Sequence, residues 1–236
     1  YLDQKNGEFG KRETVKDYAR NMSRWCDGIV ARVFENNTLV DLAKYGNVPV
    51  INALCNLYHP CQAFADFQTI AENYDDLSKV KLAYFGDGNN VTNSLLITGA
   101  KCGTDVLCVC PKGNGPDVQV YEAALEVAKT TGAKLAVTDD PMAAKGYDVV
   151  YTDTWVSMGD NTPLDAVKAK FMPFQINREL LENTGIKHVL HCQPAHREYE
   201  ITSEVMDGPW SIIYDEAENR MHTQMAVLST LLNQGV

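Results

Sequence analysis

Apolar residues at Val15, Tyr18, Ala19, Met22 and Cys26 recur at intervals of three or four, which gathers them on one face of a helix predicted over residues 11–26. The run that follows, residues 28–34, is short and rich in β-branched and aromatic side chains, and predicts a strand. The pair repeats as a helix at 38–45 and a strand at 48–52, after which Pro60 suits the first turn of a further helix. From residue 81 onward, short apolar runs at 81–85, 104–109, 134–138, 147–152 and 187–191 are separated by helical or loop stretches. Residues 216–232 read as a long closing helix whose apolar face is Met221, Met225, Leu228 and Leu232. Strands that alternate with helices predict an α/β protein with two doubly wound, mostly parallel sheet regions, the first incomplete in this chain, and residues 71–76 mark the main internal boundary. In such sheets ligands lie beyond the carboxyl ends of the strands, so the residues just after each strand are the ones to examine for chemistry.

Composition narrows the classes of function. The 236 residues are 45% hydrophobic and 22% charged, and no apolar run approaches the roughly 18 residues that a membrane helix needs, so no membrane role is expected. A formal charge of −10 without clustered Lys and Arg argues against a nucleic-acid surface, and an anionic ligand would need locally concentrated positive charge. Seven cysteines without a C-x-x-C spacing fit free thiols in a reducing compartment, and the cytoplasm is the expected location.

Four stretches after strands, and two arginines elsewhere, carry candidate chemistry. Gly86-Asp87-Gly88-Asn89-Asn90 is a glycine turn into a helix. As a dinucleotide fingerprint it is incomplete, since the third glycine would fall on Val91, but two side-chain amides at a strand end can also read a carboxylate. His59 and Gln62, in His59-Pro60-Cys61-Gln62, lie one turn apart at a helix start with free N–H groups, which suits a small anion or carbonyl; a histidine capping its own helix is the competing reading. Residues 151–159 offer Asp153, Ser157, Met158 and Gly159 after a strand, where a carboxylate can hold an ammonium, although such residues are also common turn formers. His191-Cys192-Gln193-Pro194 sets a thiol beside a histidine. A metal is disfavoured there because adjacent residues chelate one tetrahedral ion poorly, and a cysteine hydrolase is the other alternative. Arg32, within a β-run, and Arg220, in the closing helix, are candidate anion clamps or structural salt-bridge partners.

Taken in this order, the segments resemble the aspartate/ornithine carbamoyltransferase family over about residues 1–232, and its ornithine branch best: H-P-x-Q at 59–62, G-D-x-N-N at 86–90, D-x-W-x-S-M-G at 153–159, H-C-x-P at 191–194 and A-E-N-R at 217–220. The resemblance implies transfer of a carbamoyl group from carbamoyl phosphate to the δ-amine of L-ornithine, without cofactor or metal, in a homotrimer. It implies that Arg32, His59, Gln62, Cys192, Gln193 and Arg220 bind carbamoyl phosphate. Asn90, Asp153, Ser157 and Met158 would bind ornithine, and Cys192, Asp153, His59 and Arg32 would act in catalysis. It divides the chain into the end of a carbamoyl-phosphate domain (1–55), an ornithine domain (56–215) and a returning helix (216–236). Carbamoylation of another amine, such as putrescine or an N-acylated ornithine, and a non-catalytic relative keeping the fold are the alternatives.

Three departures qualify the likeness. The family's S-T-R-T-R phosphate segment, expected upstream of Tyr1, does not occur in these 236 residues, so this polypeptide by itself is expected to be inactive. Gln193 stands where the family usually has Leu, a mild change if the backbone carbonyl is the group used. Glu8 falls near a position where similar chains offer Gln or His toward a neighbouring subunit's phosphate, which a carboxylate would repel unless Lys5 or Lys11 compensates.

Overall fold

The computed structural model describes residues 13–156 and 162–232. Glu8, Lys5, Lys11, Ser157, Met158 and Gly159 lie outside the described residues. The first part runs α1 (Val15–Met22), β1 (Ile29–Arg32), α2 (Asn36–Tyr45), β2 (Val50–Leu54), with β1 and β2 paired in parallel, before α3 (Pro60–Asn73) leads out. The second part runs β3 (Lys81–Phe85), α4 (Asn90–Cys102), β4 (Asp105–Val109), α5 (Val118–Thr131), β5 (Leu135–Thr138), β6 (Val149–Thr152), α6 (Leu164–Phe171), α7 (Arg178–Thr184), β7 (His188–His191), α8 (Ser203–Met206) and α9 (Ile213–Leu232). Every strand expected from the apolar runs is present, and β3 has the expected bounds.

The five strands of the second sheet are all parallel in the order β5-β4-β3-β6-β7, so the order reverses between β3 and β6. Side chains alternate across it. Leu82, Tyr84, Val106, Cys108, Val149, Tyr151 and Leu190 point to one face, where they meet α3, α4 and α5 through Phe67, Leu95, Leu96 and Ala124. Ala83, Phe85, Leu107, Val109, Val150 and Val189 point to the other and meet α7 and α8 through Leu180, Leu181, Val205 and Met206. Burial on both faces explains why the strands read as nearly unbroken apolar runs. Each fully buried Leu or Val contributes roughly 1.5–3 kcal/mol, so the sheet is a rigid platform for the residues at its rim.

Helix α9 departs from expectation in two ways. It begins at Ile213, three residues before the apolar pattern starts, which sets Arg220 about two turns in rather than at the helix start. Its inward residues are Ile213, Glu216 and Asn219, whereas Met221 and Met225 are 57% and 60% exposed. The polar stripe is the buried one because its groups find partners on α3: Asn219 Nδ2 donates to Thr69 Oγ1 at 3.0 Å and to Glu72 Oε2 at 2.7 Å. Among the described residues no helix is long and apolar enough to cross a membrane.

Candidate active site

The turn after β3 and the loop after β6 meet where the strand order reverses, the usual ligand crevice of an open parallel sheet. Gly88 is required there, since a Cβ on it would lie 2.2 Å from the carbonyl carbon of Gly115. The glycine thus admits the loop after β4 rather than a pyrophosphate. Asn89 then caps α4, its Oδ1 accepting from the N–H groups of Val91 (2.9 Å) and Thr92 (3.2 Å), while its Nδ2 donates to Asp153 Oδ2 at 2.7 Å. Asp153 Oδ1 accepts from the Thr154 N–H at 2.7 Å and from Cys192 Sγ, at the end of β7, at 2.9 Å. Burial pushes the Cys192 thiol well above its usual range, and Asp153, through its charge and its hydrogen bond, pushes it further. Cys192 is therefore a neutral thiol donating to a carboxylate. Trp155 follows in the same loop, buried and stacked on Phe171 at 5.7 Å, with its indole N–H lacking a partner among the described residues.

A second group assembles on α3 and α9. His59 precedes Pro60 as the residue capping α3, yet its side chain makes no capping bond, and its buried Nδ1 has no partner among the described residues. Burial lowers its pKa to about 3, assisted by the nearby positive charges of Arg220 and Arg32, so the imidazole is neutral at physiological pH. One turn on, Gln62 is fully buried: its Nε2 donates to Asp66 Oδ1 (2.8 Å) and to Glu216 Oε1 (2.9 Å), and its Oε1 accepts from an Arg220 guanidinium N–H. Glu216 also accepts from the Tyr151 hydroxyl at 3.2 Å and, through Oε2, from the His191 N–H at 2.8 Å. Arg32 stands at the end of β1, exposed but close enough for its charge to act on His59.

The two groups join through the loop after β2. Asn90 Nδ2 donates to the Cys55 carbonyl (2.7 Å), Asn93 Nδ2 to the Leu57 carbonyl (3.0 Å), and the His59 N–H to Ser94 Oγ (2.7 Å). At the far edge His191 is fixed by both ring nitrogens: Nδ1 accepts from the Gln193 N–H at 2.9 Å, which leaves Nε2 to donate to the buried Glu200 at 3.1 Å. Gln193 has φ 51, a left-handed backbone uncommon for a residue with a side chain. The doubt about a metal at the thiol rested on chain neighbours alone. In space, Asp153, His191 and Cys192 bring ligand atoms within 4.8 Å of one another, although hydrogen bonds already engage all three.

The fold thus brings together Asp153 with Cys192, and His59 with Gln62 and Arg220, from positions far apart in the chain. Asn90 points its amide at a backbone carbonyl instead of toward Asp153, and its neighbour Asn89 makes that contact. Sequence reasoning missed Asn89, Asp66, Tyr151, Glu216 and Glu200. For Asp66 a signal existed, since it falls on a face of α3 that buries apolar residues, where an ionisable group needs a partner.

Comparison with known proteins gives a consistent result. Residues 1–72 match the family model described as "Aspartate/ornithine carbamoyltransferase, carbamoyl-P binding domain", and residues 78–231 match its "Asp/Orn binding domain". An ornithine carbamoyltransferase of Moritella profunda is 64% identical over 232 residues, which is 98% of this chain and 77% of the relative. One from Shewanella oneidensis is 53% identical over 99% of this chain and 77% of its own length. Among solved structures, ornithine carbamoyltransferase from Pyrococcus furiosus superposes with a TM-score of 0.93 at 43% identity, covering 100% of this chain and 76% of that one. The Thermus thermophilus enzyme does so with a TM-score of 0.86 at 42% identity, covering 99% and 76%.

Proposed function

The chain belongs to the aspartate/ornithine carbamoyltransferase family, and from that premise we propose that the residues gathered above carry a carbamoyl group from carbamoyl phosphate to the δ-amine of L-ornithine, giving L-citrulline and phosphate. The observation that supports this reading most strongly is the convergence of Asp153 and Cys192, from β6 and β7, beside a helix start bearing His59, Gln62 and the α9 arginine.

The amine must be neutral to attack. Its pKa resembles that of Lys, about 10.4, so deprotonation near pH 7.4 costs about 4 kcal/mol before catalysis begins. Asp153 attracts the ammonium and orients it, and the Cys192 thiol supports Asp153 by holding one lobe of its carboxylate. A thiol so strongly held in its neutral form does not act as the base itself, which shifts the proton-accepting role toward Asp153. Nitrogen attack forms the new N–C bond and moves the carbonyl electron pair onto oxygen. His59 and Arg32 stabilise that oxyanion. Its collapse breaks the C–O bond to phosphate, which leaves with the electron pair beside Arg220, and the nitrogen gives up its remaining extra proton to the departing phosphate. No covalent enzyme intermediate is needed, so orientation and electrostatics supply the rate.

In the same reading, Gln62 and the Gln193 backbone carbonyl receive the carbamoyl amide, and Asn90, Ser157 and Met158 hold the α-amino-acid end of ornithine. For Asn90 this means releasing the Cys55 carbonyl when substrate arrives. The division at residues 55 and 216 and assembly as a homotrimer belong to the proposal. Citrulline formation from carbamoyl phosphate and ornithine by the full-length protein, with its mass measured by light scattering, tests it; absence of citrulline overturns the activity and a monomer overturns the assembly.

A further inference from the structure

Behind the carbamoyl pocket lies a pair of acids that the mechanism above does not use. Asp66 and Glu216 are both fully buried, on facing helices α3 and α9, and the side-chain amide of Gln62 lies between them. Glu216 accepts three hydrogen bonds, from Gln62, Tyr151 and the His191 N–H, so its lone pairs are occupied as a carboxylate's should be. Asp66 accepts from Gln62 through Oδ1, while its buried Oδ2 has no donor facing it among the described residues, and burial raises the pKa of both acids. Two carboxyls in that relation share one proton. The acceptor pattern puts it on Asp66 Oδ2, the oxygen that meets no donor.

This arrangement has one consequence for Gln62. An amide has a donor end and an acceptor end, and a carboxylate together with a carboxyl whose proton sits on its far oxygen can only be served by the donor end. Both Nε2 hydrogens are thereby committed to the acids, and Oε1 is turned the other way, toward Arg220 and the pocket beside His59. That oxygen has a second lone pair. We propose that Asp66 and Glu216 are positioning residues that fix the polarity of the Gln62 amide, so that the pocket presents an acceptor and selects an acyl phosphate bearing an N–H group over its methyl isostere. The inference rests on the reading of Gln62 as the residue that receives the carbamoyl amide.

The substitutions separate cleanly. In Glu216→Gln one of the two oxygens becomes an NH2 group. Placed at either position it meets a donor, from Gln62 and Tyr151 on one side or from His191 N–H on the other, and turning Gln62 over relieves the conflict once the Asp66 proton moves to Oδ1 to donate to Gln62 Oε1 and Arg220 gives up its bond to that oxygen. Turned over, Gln62 offers a donor to the pocket. Asp66→Asn behaves oppositely, because its NH2 replaces the shared proton and its oxygen still accepts from Gln62 Nε2.

The test is made on the full-length protein with saturating ornithine, by comparing KM for carbamoyl phosphate with the inhibition constant of acetyl phosphate competing against it. The ratio cancels effects on phosphate binding common to both. In Glu216→Gln the preference for carbamoyl phosphate should fall roughly tenfold or more, through a rise in KM, and in Asp66→Asn it should stay within about threefold. An unchanged ratio in Glu216→Gln, or an equal loss in both variants, overturns the proposal. If Glu216→Gln does not fold, neutron diffraction on the unmodified protein after exchange into D2O decides: deuterons on Gln62 Nε2 aimed at both acids support it, and Oε1 aimed at them overturns it. Wild-type protein without citrulline formation would instead overturn the function on which the inference rests.

Discussion

At the scale of single residues, Cys192 is bound to Asp153 and not poised to ionise, which makes its contribution one of support. Cys192→Ala should lower kcat of the full-length enzyme by on the order of tenfold or more while the fold survives, as expected for a group that handles a proton or holds the one that does. Unchanged kcat and KM, measured at saturating carbamoyl phosphate, would demote the thiol to packing. Asp66 gives a different prediction. Burial raises its pKa to about 7, against about 4 in an unfolded chain. Between these values the unfolded chain releases a proton that the folded protein retains, so folding loses stability as pH rises from about 4 to about 7 and recovers it as pH falls. The groups facing Asp66 are Gln62 on α3, Tyr151 on β6, and Glu216 and Arg220 on α9. Asp66→Asn carries no such penalty, so its melting temperature relative to wild type should be higher at pH 8 than at pH 5; an equal offset at both pH values would mean that Asp66 is ionised throughout.

At the scale of elements, the start of α4 joins the two halves of the site, since Asn89 serves both its own helix and Asp153. Asn89→Ala should cost about 1–2 kcal/mol through the lost cap, a fall of several degrees in melting temperature by calorimetry. Asn89→Asp retains a capping oxygen but sets a second carboxylate against Asp153. Its kcat/KM for ornithine should fall further than that of Asn89→Ala although its melting temperature falls less, and the reverse ranking would show that the helix start matters only for stability. The strands were readable from sequence because β3, β4, β6 and β7 are buried on both faces and leave unbroken apolar runs. So were His59, Gln62, Asp153 and Cys192, which follow directly on strands or open a helix. What escaped was set by pairing across the chain. The apolar stripe of α9 is the outward one, because Glu216 and Asn219 have partners on α3 that no periodicity can register. Asn89 escaped for a related reason: which of two adjacent amides faces Asp153 depends on where the helix cap falls.

At the scale of the whole molecule, α3 and α9 pack together and bring the end of the chain back beside residues 59–66, so groups from both sheets reach one crevice. Substrate choice follows from that convergence. Putrescine has the reacting amine but no α-carboxylate, and losing a hydrogen bond to a charged group costs roughly 1.5–3 kcal/mol, or about ten- to hundredfold in kcat/KM. Ornithine should therefore exceed putrescine and N-acetylornithine by at least tenfold, and aspartate should not react; equal use of any of them in citrulline-type assays would reassign the amine pocket. The stacked pair of Trp155 and Phe171 gives the same crevice an optical voice. A buried indole whose N–H lacks a partner among the described residues emits at short wavelength and responds to any dipole brought near it, whereas Trp25 is 77% exposed and Trp210 only partly buried, so both emit further to the red. Titrating norvaline, an ornithine without the δ-amine, into the carbamoyl-phosphate complex should change the blue side of the emission spectrum alone, and Trp155→Phe should abolish that change, so that occupancy can be followed by light without a turnover.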